Sequence, residues 1–128
     1  VSDLNAQHGN PLSAGQAEKL AALLGGHPYL TRKALYLAAS NRATFEEIVK
    51  SACEDDGAFG DHLRNHLFRM SNYADLKAGL LQIIKYGRCP DEHIFFRLRG
   101  AGLVRRVGNE VLPRNQLYAE YFGKRLNG

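Results

Sequence analysis

The sequence predicts a mainly α-helical fold in which one β-hairpin follows a series of short helices. Apolar residues recur at helical spacing along most of the 128 residues. Serine, threonine, glycine and proline interrupt these runs where such residues begin or end helices. Near the C-terminus, the segment LVRRVGNEVLPR has two β-prone arms around Gly108-Asn109, a pair that favours a tight turn. Together these three observations predict the fold class.

The N-terminal part divides into three helices. Ser13-Ala-Gly-Gln16 is a capping box and begins the first of them. Gly25-Gly26 ends that helix because glycine adopts the left-handed conformation readily, and Pro28 suits the first turn of the next, which runs to about Ala39. Thr44-Phe-Glu-Glu47 is a second capping box and begins a short third helix. The apolar face of this third helix consists of Phe45, Ile48, Val49 and Ala52.

The remaining chain contains three more helices, the hairpin and a last helix. Their apolar residues are Phe59, Leu63, Leu67 and Met70, then Leu76, Leu80, Ile83 and Ile84, then Ile94, Phe95 and Leu98. Tyr86-Gly87 ends the second of these helices, Pro90-Asp91 begins the third, and Gly100 with Gly102 ends it. The last helix, 115–126, places Leu117, Tyr121 or Tyr118, and Leu126 on one side.

The order helix, helix, turn, helix, hairpin is that of a winged helix. A small helical lobe precedes it. We therefore expect two domains, a helical lobe at residues 1–54 and a winged-helix domain at residues 55–128.

The positive charge of the chain is concentrated in its C-terminal third. Residues 1–84 contain 8 Lys and Arg against 9 Asp and Glu, whereas residues 85–128 contain 9 against 4. A surplus of this kind is found on ordinary solvated surfaces and also on surfaces that bind polyanions. The charge by itself leaves both interpretations open.

The sequence lacks the motifs of the common enzyme classes. It contains no G-x-x-x-x-G-K-[ST] loop, no G-x-S-x-G elbow and no H-E-x-x-H. We therefore expect a non-catalytic chain. No uncharged apolar run approaches the roughly 18 residues of a membrane helix, and Cys53 and Cys89 have no CxxC partner, as in proteins of a reducing compartment. These features predict a cytoplasmic protein without a membrane partner.

His62 and His66 are one helical turn apart and resemble half of a metal site. A third ligand is not evident, and both histidines border the apolar face of their helix. We therefore expect no metal, and a role for these residues at the edge of the core.

Two functions follow from a winged helix. In a DNA-binding module, the helix before the hairpin would enter the major groove with His93, Arg97 and Arg99 as possible contacts. The hairpin with Arg105 and Arg106 would follow a phosphate strand or the minor groove. In a protein-interaction module, exposed Phe96 and the basic hairpin would instead dock an effector.

The corner Gly26-His27-Pro28-Tyr29 also allows two interpretations. Helix caps explain it without any ligand. Alternatively, a corner bared by glycine brings backbone close to a flat ligand and directs the amide-rich start of the next helix at anionic groups.

Three stretches in one order resemble a known family. The three stretches are LLGGHPYLTRKALYLAAS, DDGAFGDHLRNHLFRM and FRLRGAGLVRRVGNEVLPRNQLYAEYFGKRL. They are similar to the C-terminal part of the bacterial AAA-like ATPases, which are related to the STAND signalling NTPases. The resemblance extends from about Asp3 to Leu126. It implies a helical lid and a winged helix that follow a P-loop core, in a switch controlled by ADP and ATP with magnesium.

The resemblance also implies site residues and partners. Gly26 and Pro28 match the Gly-x-Pro element of STAND lids, whose proline packs against the nucleotide base, and Tyr29 flanks it. Arg32 or Lys33, one turn into the helix, could reach phosphates as a sensor arginine does. In some relatives a histidine after the wing contacts ADP; here the corresponding region reads Pro113-Arg114-Asn115, so Arg114 could at most substitute for it. The implied function is a regulatory module that senses nucleotide in the P-loop core of the same chain and relays its state to an effector domain.

Overall fold

The structure of the chain is a computed structural model that describes residues 2–7, 9–89 and 91–126, without the side chains of residues 2–4. Pro90, predicted to begin a helix together with Asp91, lies outside these residues. The described chain is mainly helical with one antiparallel hairpin near the C-terminus, which confirms the predicted fold class. The elements are α1 (Ser2–Gln7), α2 (Ala14–Leu24), α3 (Pro28–Ala39), α4 (Phe45–Lys50), α5 (Gly60–Arg69), α6 (Ala74–Tyr86), α7 (Glu92–Gly100), β1 (Val104–Val107), β2 (Glu110–Pro113) and α8 (Gln116–Leu126).

Contacts within the chain divide it into two compact units, which we call unit 1 (Val1–Asp61) and unit 2 (His62–Gly128). The charge is distributed unequally between them. Unit 1 contains 5 Lys and Arg against 8 Asp and Glu, and unit 2 contains 12 against 5. Their formal net charges are therefore −3 and +7, so the basic surplus of the chain belongs to unit 2.

Helices α2, α3 and α4 of unit 1 begin where the sequence predicts. Ser13 and Gln16 form a complete capping box at the start of α2, and Thr44 and Glu47 form another at the start of α4. In each box the hydroxyl accepts the N–H three residues later, and the longer side chain accepts the N–H of the cap residue. One detail differs from the predicted apolar face of α4: Ile48 and Ala52 are buried, but Val49 is exposed.

Helix α1 packs against α2 and α3 although the sequence did not predict it. The buried Asn5 side chain donates to the carbonyl of Leu12 at 2.9 Å and accepts the N–H of Leu12 at 3.1 Å. A helix of six residues is not stable by itself, because nucleation costs more than so few hydrogen bonds return. Its packing on α2 and α3, together with these two hydrogen bonds, holds it in place.

Helix α6 is the central element of unit 2, and it contacts α7, α8 and β2. Its buried face consists of Leu76, Gly79, Leu80 and Ile83. Helix α8 contributes the largest buried side chains, and both tyrosines that the sequence offered as alternatives are buried. Phe122 makes edge contacts with both of them, with ring centroids 5.7 Å from Tyr118 and 5.2 Å from Tyr121.

The hairpin pairs Val104 with Pro113 and Val107 with Glu110, which leaves Gly108-Asn109 as a two-residue turn. Gly108 has a φ of 60°, the left-handed value that the first central residue of a type II′ turn requires. Val111 of the hairpin donates to the carbonyl of Gly87, the residue after α6, at 3.0 Å. Arg114 donates to the carbonyl of Leu103 at 2.8 Å, which continues the strand pairing by one residue.

Among the described residues, no helix combines the length and the apolar character that crossing a bilayer requires.

The close approach of α6 and α7 at Gly79 predicts a stability difference between two glycine variants. A Cβ at Gly79 would lie 2.6 Å from Cγ2 of Ile94, whereas one at Gly15 in α2 would meet nothing within 4 Å. We expect Gly79→Ala to lower the free energy of unfolding by about 1–3 kcal/mol through overpacking. Gly15→Ala should raise it by about 0.5–1 kcal/mol through helix propensity. Urea denaturation measures both, and a stabilising Gly79→Ala would contradict this packing.

Candidate functional site

The corner between α2 and α3 in unit 1 is built from backbone. Gly25 caps α2 with a φ of 59°, and its N–H donates to the carbonyl of Ala21 at 2.8 Å. Gly26 follows with a φ of 72°, so two successive residues are left-handed, a combination that suits glycine. A Cβ at Gly26 would meet no atom within 4 Å. The corner is therefore open on its outer side.

Helix α3 begins directly after this corner. His27 is the N-cap residue, and its Nδ1 accepts the N–H of Leu30 at 3.4 Å. Pro28 occupies the first helical position, where its missing N–H breaks no helical hydrogen bond. The capping role of His27 was not predicted from the sequence, although its position directly before a proline at the first helical position is a signal for it. The N-terminus of α3 carries partial positive charge because its first amides lack helical acceptors.

The residues predicted to sense nucleotide in unit 1 lie on one exposed face at the start of α3. Pro28, Tyr29 and Arg32 are exposed, and Tyr29 keeps 49% of its surface accessible. Spacings of three and four residues place Arg32 on the same side as both of them. The opposite side, which includes Leu30, is buried. Gly26, Pro28, Tyr29 and Arg32 thus form a continuous surface around the corner.

Arg114, the fifth predicted sensing residue, belongs to unit 2, at the junction between β2 and α8. It is half-buried, and the next residue, Asn115, caps α8 by accepting the N–H of Tyr118 at 2.8 Å. The positive charge of Arg114 lowers the pKa of Tyr118, in opposition to the larger effect of burial. The arginine therefore carries its charge close to the Tyr118 phenol.

His62, His66 and Tyr118 form a cluster between α5 and α8. A hydrogen bond joins Nε2 of His62 to the Tyr118 hydroxyl at 2.6 Å, and the ring centroid of His66 lies 4.7 Å from that of His62. Burial raises the pKa of Tyr118 to about 12. No group of three or more His, Cys, Asp or Glu side chains in the described part of the chain could hold a metal ion. The sequence could not identify this partner of His62, because it lies 56 residues away.

The two arginines predicted on α7 have different environments. The guanidinium of Arg97 lies 4.8 Å from the centre of the Tyr73 ring and 3.8 Å from a carboxylate oxygen of Asp75. Arg99 is exposed near the end of the helix. Arg97 therefore connects α7 to the start of α6.

The two arginines of the hairpin lie on opposite faces of it. Side chains alternate along a strand, so Arg106 shares a face with the buried Val104, and Arg105 has the other face. The guanidinium of Arg106 lies 4.3 Å from the centre of the buried Phe95 ring, whereas Arg105 pairs with Leu112 across the hairpin. Arg105 and Arg106 therefore lie on opposite faces of the hairpin, and only Arg106 is next to Phe95.

A family model described as an AAA-like domain matches residues 1–124. The chain belongs to the AAA-like domain family. This membership confirms the AAA-like part of the resemblance, and it gives the chain the context of nucleotide-related ATPases. A search of curated proteins and a search of solved structures each returned no match. The matched region of this AAA-like domain includes both the corner in unit 1 and Arg114 in unit 2.

The raised pKa of Tyr118 predicts alkaline destabilisation of the AAA-like domain. The folded chain holds the phenolic proton up to a pH of about 12, whereas the unfolded chain loses it near the ordinary pKa of 10.0. The free energy of unfolding is therefore expected to fall as the pH rises between these two values. In Tyr118→Phe this fall should be smaller, and loss of the hydrogen bond to His62 should cost about 1 kcal/mol near neutral pH.

Urea denaturation across this pH range measures the effect. Tyr86→Phe, which changes an exposed tyrosine of the same unit, is the matched control. An equal alkaline decrease in wild type and Tyr118→Phe would contradict the assignment.

Proposed function

We propose that this AAA-like chain is a non-catalytic regulatory module consisting of a helical lid and a winged helix, of the kind found in STAND-related ATPases. It senses ADP or ATP held with magnesium by a P-loop core of the same polypeptide. It then relays the state of that nucleotide to an effector domain. Unit 1 serves as the lid, and unit 2, with helices followed by a hairpin and a last helix, serves as the winged helix.

The exposed face around the corner is the observation that carries this proposal. Tyr29 and Pro28 offer flat apolar surfaces to an adenine base beside a backbone that no side chain covers. The start of α3 and the guanidinium of Arg32, one turn further along, offer positive charge to phosphates. One short segment thus provides the two kinds of group that a nucleotide needs.

The module binds without hydrolysing because its sequence contains no G-x-x-x-x-G-K-[ST] loop. In this proposal the core holds the phosphates and the magnesium ion, and this chain closes over the base. Arg114 of unit 2, just before the helix that follows the hairpin, is a further sensing residue in this proposal through its positive charge.

Two tyrosines of α3 allow a matched test. Tyr29 and Tyr36 are 49% and 50% exposed on the same helix, but only Tyr29 lies at the corner. In the longer protein that includes the P-loop core, we expect Tyr29→Ala to speed ADP dissociation about tenfold, as loss of an aromatic stacking contact of about 1–1.5 kcal/mol does. Tyr36→Ala should leave the rate close to that of the wild type.

The same test applies to the other proposed contacts with the base and the phosphates, through the variants Pro28→Ala, Arg32→Ala and Arg114→Ala. Stopped-flow release of a fluorescent ADP analogue measures each rate, and circular dichroism checks that each variant is folded. Equal rates for Tyr29→Ala and wild type, together with unchanged release from Pro28→Ala and Arg114→Ala, would reject the sensing role.

A further inference from the structure

Two cavities in unit 2 adjoin at the side chain of Arg88. One, of about 420 Å³, lies between the start of α7 and the tip of the hairpin, where Arg106 and Asn109 are among its lining residues. The other, of about 450 Å³, is lined by Gln82, Tyr86 and Arg88 at the end of α6. Arg88 lines both cavities, and we call the two together the Arg88 groove.

We propose that the Arg88 groove binds single-stranded nucleic acid. This is a function beyond nucleotide sensing, and it depends on neither the corner in unit 1 nor Arg114. The argument rests on the stacking surface, the positive charge and the polar side chains of the groove.

Tyr86 provides the stacking surface. It is the last residue of α6, and 70% of its surface is exposed. Gly87 ends the helix in the left-handed conformation, so the chain turns away directly after the ring. Gln82, one turn earlier on the same face, lines the same cavity and carries an amide that can donate to and accept from the edge of a base. A base stacked on Tyr86 therefore meets a polar partner beside it.

Arg88 and Arg106 provide positive charge along the groove. Arg88 is exposed, and Cζ of the Arg106 guanidinium lies 4.3 Å from the centre of the buried Phe95 ring. This cation–π contact holds Arg106 beside Phe95, and its N–H groups are donors suited to phosphate oxygens. The groove belongs to the unit with a net charge of +7, so long-range attraction of a polyanion acts in the same direction.

Two acidic residues also line the groove, and their roles differ. Asp91 caps α7, and one of its oxygens accepts the N–H of His93 at 2.7 Å and that of Ile94 at 3.4 Å. Its charge therefore lies against the positive end of a helix. Glu92 has no such capping contact among the hydrogen bonds of this turn, and it opposes a phosphate in the groove. Glu92→Gln is accordingly expected to tighten binding.

The exposed Tyr86 ring favours a single strand over a duplex. Bases in a duplex are stacked on each other, so their faces are not accessible to an aromatic side chain, whereas unpaired bases are. An acidic peptide would match Arg88 and Arg106, but it would leave the stacking surface and the amides of Gln82 and Asn109 without a specific partner.

The experiment measures fluorescence anisotropy of labelled oligothymidylate of about 12 nucleotides, with a duplex of the same length as comparison. We expect the 128-residue chain to bind the single strand more tightly than the duplex, and more weakly as salt is raised. Tyr86→Ala should weaken binding about 5-fold to 150-fold, the range for one stacked base, and Tyr86→Phe should retain it. Arg88→Gln should make the negative slope of log K against log salt shallower by about 0.7, the value for one phosphate of a single strand.

Matched controls test whether binding depends on the groove itself or on any exposed aromatic ring or positive charge. Phe68→Ala removes an aromatic ring that is 77% exposed on α5, and Arg99→Gln removes an exposed positive charge on α7. Both residues lie outside the groove lining, so both variants should bind nearly as the wild type does. The proposal is overturned if the single strand does not bind at low salt or the duplex binds more tightly. It is equally overturned if polyglutamate competes as well as the single strand does, or if the controls lose as much affinity as Tyr86→Ala and Arg88→Gln.

Discussion

The close packing of α7 on α6 at Gly79 is the constraint on which unit 2 depends. Helix α6 contacts α7, α8 and β2, and β1 packs on α7, so the hairpin is placed by the two helices together. Only hydrogen at this position lets the Ile94 side chain approach the α6 backbone so closely. The depression between the start of α7 and the hairpin tip follows from this arrangement. A side chain at position 79 would therefore alter the position of α7 as well as stability.

Several arginines of unit 2 contact aromatic rings, and these contacts give its positive charges different environments. Arg97 lies over Tyr73, Arg106 over Phe95, and Arg125 over Tyr121, with the last distance 5.0 Å. These contacts orient the guanidinium groups, because a planar cation prefers the face of a ring. Net charge alone gives no information about such orientation. The basic character of a segment therefore predicts attraction to an anion, but the packing of each arginine decides where the anion can bind.

Both proposed sites combine a left-handed glycine, an exposed tyrosine and an arginine at the end of a helix. In unit 1, left-handed glycines precede α3, and an exposed tyrosine with an arginine follows them. In unit 2, a left-handed glycine follows α6, and the exposed Tyr86 and Arg88 flank it. Glycine lets the chain turn within one or two residues, so little side-chain bulk covers the neighbouring ring. A flat, accessible ring beside a positive charge suits a nucleotide base attached to phosphate.

The sequence by itself determined the local structure of this protein. The capping boxes at Ser13 and Thr44, the break at Gly25-Gly26, the start of α3 at Pro28 and the turn at Gly108-Asn109 all follow from hydrogen bonding and backbone freedom over a few residues. The exposed corner was predictable for the same reason. Three quoted stretches in one order also sufficed to place the chain in the AAA-like family.

Only the tertiary structure decided what depends on residues far apart in the chain. Helix α1 packs on α2 and α3, and the partner of His62 is Tyr118 on another helix. Strand alternation alone separates Arg105 from Arg106, but which of the two packs on Phe95 depends on which face of the hairpin is buried. Patterns of spacing give the period of an element but not its neighbours, because burial and pairing are set by the assembled fold. The Arg88 groove combines the end of α6, the start of α7 and the hairpin, so no single segment of the sequence could reveal it.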